Sequence, residues 1–99
     1  MITIVLENWA DVELARVSLP GNEQYLARDE DPFPLLSRLD HCSYDVFASR
    51  DMVELIRELE QVRESLDGAD RTHVEEIIAL AQRCRNDTTL TLTFTPFDE

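Results

Sequence analysis

From Thr89 to Thr95 the chain reads Thr-Leu-Thr-Leu-Thr-Phe-Thr, an unbroken alternation of threonine with a large apolar side chain. A period of two marks an extended strand, with Leu90, Leu92 and Phe94 on one face and Thr89, Thr91, Thr93 and Thr95 on the other. Such a strand needs neighbours for its backbone and a cover for its apolar face. The chain must therefore build a sheet with one packed and one wet face. Pro96 halts the strand.

The cover is written just upstream. Met52, Leu55, Ile56, Leu59, Val62 and Leu66 recur at helical spacing behind a cap at Ser49 or Asp51. Gly68 stands where the end of that helix favours a positive φ. A second helix follows, with Val74, Ile77, Ile78, Ala81 and Cys84 as its buried stripe. Thr72-His73-Val74-Glu75 matches a capping box at its start, and Arg83 and Arg85 suit the dipole at its end. Pro34, Leu35, Leu36 and Leu39 predict a shorter helix before these two.

The opening supplies the neighbouring strands. Residues 2 to 6, Ile-Thr-Ile-Val-Leu, read as one strand, and Val12 to Leu19 as another. In the second, Val12 and Leu14 share one phase while Val17 and Leu19 share the other, so a bulge is expected near Ala15-Arg16. Pro20-Gly21-Asn22 ends it with a turn, and residues 22 to 32 read as a polar surface loop. Tyr44 to Phe47 forms a short extended segment.

The order β-β-α-α-α-β predicts an α+β fold. It is a single domain, residues 1–99, built as a two-layer sandwich with helices on one face of a mainly antiparallel three-stranded sheet. The first two strands form a hairpin and the last adds beside the first. The Thr-rich 88–95 strand is then a sheet edge through which a homodimer could pair.

Charge limits the partners. Twenty-one acidic residues stand against nine basic ones, for a net charge of −12, and every basic residue is Arg. That sign repels phosphate backbones and anionic membrane surfaces and favours a basic protein partner. High-GC codon usage or adaptation to salt would produce the same composition without any partner. Met1-Ile-Thr-Ile lacks the basic and cleavable parts of a signal peptide, which predicts a cytoplasmic protein. Cys42 and Cys84 are then expected as reduced, buried thiols.

Chemical motifs are sparse. No zinc-type spacing joins His41, Cys42, His73 and Cys84, and no glycine-rich phosphate loop or nucleophile elbow is present. His73 and Glu76, three apart, could share an exposed helix face. No metal, cofactor or catalytic set is expected. Interaction surfaces are easier to find. Asp51, Glu54 and Glu58 form an acidic row away from the apolar stripe, and Glu60, Glu64 and Asp67 form a second. Asp29-Glu30-Asp31 adds an acidic loop. Trp9, the only tryptophan, stands in a connection, where it is either a binding anchor or a lid over the end of the sheet.

The strands ending in Leu19-Pro20-Gly21, the segment Phe33-Pro34-Leu35-Leu36 and the two amphipathic helices before the last strand give a layout that resembles small acidic, Arg-for-Lys proteins of high-GC bacteria. Some proteins of this build are immunity proteins that neutralise basic toxins. The net charge, the acidic helix face and the absence of catalytic motifs point to a non-enzymatic, acidic protein-interaction module, for which the resemblance suggests an immunity- or antitoxin-like inhibitor of a basic protein. The candidate contact residues are Asp29, Glu30, Asp31, Asp51, Glu54, Glu58 and Trp9. The competing readings are a small-molecule-binding or enzymatic domain using buried carboxylates, His41 or His73, and a structural homodimer subunit.

Overall fold

The computed structural model describes residues 1–26, 35–36 and 45–96. Four strands form one wholly antiparallel sheet: β1 (Thr3–Asn8), β2 (Glu13–Ser18), β3 (Asp45–Ala48) and β4 (Leu90–Thr95), in the spatial order β2-β1-β4-β3. Among the described residues three α-helices accompany it: α1 (Glu23–Leu26), α2 (Met52–Glu64) and α3 (Gly68–Arg85), with a 3-10 turn at Ser49–Asp51 leading into α2.

The alternation in β4 sets the packing. Phe94 lies opposite Ile4 and Leu92 opposite Leu6, while Val17 and Ala15 of β2 flank the same two β1 residues. This face joins one apolar cluster with the stripes of α2 (Met52, Leu55, Ile56, Leu59, Val62) and α3 (Val74, Ile77, Ile78, Ala81, Cys84), all buried. Phe47 of β3 closes it, its ring edge-on to Phe94 at 5.5 Å and 89°. The outward face is not uniformly wet. Thr93 is buried there, and its hydroxyl donates to Glu7 Oε1 at 3.1 Å.

The sheet has four strands, not three. The short segment around Tyr44 to Phe47 becomes β3 from Asp45 onward and pairs along β4, Phe47 opposite Leu92. The 88–95 strand is therefore no edge. β1 and β3 occupy both of its sides, so it has no backbone row to offer a second copy. Among the described residues the sheet ends at β2 and β3.

The bulge in β2 falls at Leu14. Pairing steps from Leu6 opposite Ala15 to Glu7 opposite Glu13, which returns Ala15 and Val17 to the packed face. Pro20-Gly21 makes a type II turn. Gly21 takes φ +83° and the Asn22 amide donates to Leu19 O at 3.2 Å. The expected polar loop after it begins instead with the single-turn α1, whose Tyr25 and Leu26 are buried. The helix expected from Pro34 lies outside the described residues except for Leu35 and Leu36. Gly68 does take a positive φ, +60°. The Thr72 capping box does not form, because α3 starts one turn earlier. The Thr72 hydroxyl bonds back to Gly68 O at 3.2 Å inside the helix.

Candidate interaction site

The β1–β2 connection is a three-residue hairpin loop, Trp9-Ala10-Asp11, held from its base by one side chain. Asn8 Oδ1 accepts the amides of Ala10 at 2.9 Å and Val12 at 3.1 Å. The Asn8 backbone accepts the Asp11 amide at 2.9 Å and donates to Val12 O at 3.1 Å. Asp11 adopts φ +60°, the left-handed step that lets such a loop rejoin the twist of its strands; Asp tolerates it better than most residues. The tip is thus locked by local hydrogen bonds rather than by core packing.

Trp9 projects from this locked tip with 80% of its surface exposed, so it is not a lid over the sheet. Val12 is 51% and Leu14 43% exposed, the latter because the bulge releases it from the packed face. Three large apolar side chains within six residues of one hairpin make an unusual surface. Asp11 and Glu13 alternate with them in the sequence, and Glu7 precedes them. Arg16 bonds to Glu13, its Nη2 2.7 Å from Oε1.

The acidic row expected on α2 is differently placed. Glu58 is fully buried, and this corrects its assignment to the outward face. Its carboxylate leaves the solvent because two backbone amides meet it: Leu36 N donates to Oε1 at 3.0 Å, and Leu35 N reaches both oxygens at 3.1 and 3.2 Å. Burial pushes its carboxyl above the usual 4.5, and the Leu36 and Leu35 amides pull the other way. Asp51 is half-buried and turned back onto the Ala48 amide at 3.0 Å. Glu54 is ion-paired with Arg57. The second row is exposed at Glu60, Glu64 and Asp67, with Arg63 3.6 Å from Glu64. Asp29, Glu30 and Asp31 lie outside the described residues, as do His41 and Cys42.

The remaining candidates for chemistry are inside. His73 is 3% exposed whereas Glu76 points to solvent, so the two do not share a face. His73 Nε2 lies 3.0 Å from Asn22 Nδ2, a contact that no local sequence pattern announces across 51 residues. Cys84 is buried beneath β4, its thiol 3.5 Å from Leu90 O and pushed up to about 11 by burial, with Asp51 and Asp87 adding to the effect. Among the described residues no three His, Cys, Asp or Glu side chains are grouped to hold a metal ion, and no helix is long and apolar enough to cross a membrane.

Comparison with protein-family models, with curated proteins and with solved structures finds no match to this chain.

Proposed function

We propose that the chain is a non-enzymatic protein-interaction module that docks a basic partner through the tip of the β1–β2 hairpin. The observation that carries this reading is the exposure of Trp9 on a hydrogen-bonded loop. The loop backbone beneath it is already fixed by hydrogen bonds, so the tip loses little backbone freedom when the exposed ring enters a partner's pocket. Tryptophans in this role are typical binding anchors, each worth about 2 kcal/mol or more on truncation. Val12 and Leu14 extend the apolar contact, and Asp11 would meet cations at its rim.

The net charge of −12 supports the choice of a basic partner, because it accelerates encounter with a cationic surface. Inhibition of a basic toxin, as by an immunity protein, is one relationship of this kind. The contact assigned to the α2 row passes to the hairpin. Asp51 and Glu58 are committed to backbone amides and Glu54 to Arg57.

The test is capture by the immobilised chain from a lysate of its native cells, beside a Trp9→Ala chain. The reading requires a basic protein that the wild type retains at low and moderate salt and the variant releases. Retention of the same proteins by both chains, or of none by either, contradicts it.

A further inference from the structure

Where β1 begins, the polypeptide is held by a side chain rather than by a neighbouring strand. The Ile2 amide donates to Asn22 Oδ1 and Asn22 Nδ2 donates to the Ile2 carbonyl, both at 2.7 Å. Asn22 thus imitates a strand partner for one residue. It is fully buried, fixed between the type II turn at Gly21 and the start of α1. The two bonds to Ile2 also determine which end of its amide is nitrogen.

That orientation fixes the state of His73. One Nδ2 proton serves the Ile2 carbonyl, and the second faces His73 Nε2 at 3.0 Å. Nε2 must then be the acceptor, which places the ring proton on Nδ1 and leaves the imidazole neutral. A proton added to Nε2 would set two N–H groups against each other in a site closed to water.

We propose that His73, Asn22 and the Ile2 backbone form an acid-opened latch: protonation of the imidazole breaks its contact with Asn22 and releases the start of β1 from the turn before α1. The charged groups around it are arranged for both states. From α3, Asp70 and Glu76 favour the imidazolium, opposing the burial that holds the group below 6.5. From α1, Glu23 sits 3.4 Å from the Met1 amine, and Tyr25 is pushed up to about 12 by burial and then by Asp70. Both acids on α3 are exposed, so an imidazolium turned outward would find them at the surface. The release is local. Ile4, Leu6 and the helix stripes belong to the apolar cluster and make no hydrogen bond to Asn22 or His73 through their side chains.

The experiment is nuclear magnetic resonance on the full chain from about pH 7.5 downward until the imidazole nitrogens report protonation of His73. The imidazole nitrogens give the tautomer, and exchange of the Ile2 amide, corrected for its intrinsic rate, gives the latch. At the upper pH the proton sits on Nδ1. Ile2 exchange accelerates at least about tenfold over the His73 titration, equivalent to about 1.4 kcal/mol of local stability, while Leu6 and Leu92 keep their protection. His73→Gln, which retains an acceptor and does not titrate, abolishes the acceleration; if it does not fold, the wild-type titration decides alone. A proton on Nε2, Ile2 protection unchanged through the titration, or equal loss at Leu6 and Leu92 overturns the latch.

Discussion

The amide of Leu36 donates to the Glu58 carboxylate at 3.0 Å in a site fully closed to solvent, so a charged side chain of α2 anchors a backbone segment 22 residues away. Deleting one partner of such a contact exposes the full desolvation cost of the other. Glu58→Ala strands the Leu35 and Leu36 amides and opens a cavity, and should cost about 3 kcal/mol in denaturant unfolding. Glu58→Gln keeps an acceptor and removes the buried charge. Because the folded carboxyl titrates above 4.5, the Glu58 contribution is complete below that pH and lost as pH rises through the folded value. The Gln variant should therefore gain on the wild type as pH rises from about 4 to about 7. A constant gap would contradict the buried carboxylate.

His73 works in the opposite sense. Its folded value is lowered from 6.5, so unfolding takes up a proton as the medium turns acid. Its contribution is complete above 6.5 and lost as pH falls through the folded value. Unfolding free energies of wild type and His73→Gln, compared at about pH 7.5 and about pH 5.5, should converge or cross toward acid. Parallel curves would show that the imidazole is not held neutral.

The loop conformation makes its own prediction. Asp11 sits at φ +60°, which a β-branched residue resists, so Asp11→Val should destabilise by about 1–2 kcal/mol while Asp11→Gly stays within about 0.5 kcal/mol. Asn8→Ala removes the acceptor of two loop amides and should cost about 1 kcal/mol. Trp9→Ala, at an exposed position, should leave stability within about 0.5 kcal/mol. Thermal unfolding of the four variants checks all of these. A large loss for Trp9→Ala would mean that the ring packs against the fold.

Cys84 should be unreactive while the chain is folded. In a Cys42→Ser background at about pH 8, a thiol pushed up to about 11 and buried under β4 is mostly protonated. Its alkylation should follow global opening and accelerate as denaturant is added, in step with unfolding measured by circular dichroism. Rapid labelling of the folded chain would contradict this placement.

Much of the layered architecture is visible in local pattern. The alternation at Leu90, Leu92 and Phe94 and the stripes of α2 and α3 each repeat often enough to fix a face, and all are buried as their periods require except Leu66, which lies past the end of α2 and is only partly buried. β3 is four residues long and shows too little alternation to announce a fourth strand. The expected bulge in β2 is real, displaced to Leu14. Thr72 imitates a helix start because its hydroxyl and Glu75 have the right spacing, yet α3 is already one turn old there. Glu58, Asn22 and His73 escape for a common reason. Each is polar and looks like surface, and each is buried by partners 20 to 51 residues distant. In the hairpin, Trp9 stands out as a lone aromatic in a connection, but its exposure follows from the Asn8 and Asp11 turn chemistry, which only the folded loop displays.

The hairpin reading is tested most directly at Trp9, because a chain with one tryptophan gives one signal. Labelled with fluorotryptophan, the chain should show a single, solvent-sensitive fluorine resonance when free. On titration with the basic protein it captures, that resonance should shift and lose its response to solvent exchange, as the ring enters the partner's pocket. If the complex forms while the fluorine signal keeps its free position and its solvent response, the hairpin tip is not the docking surface.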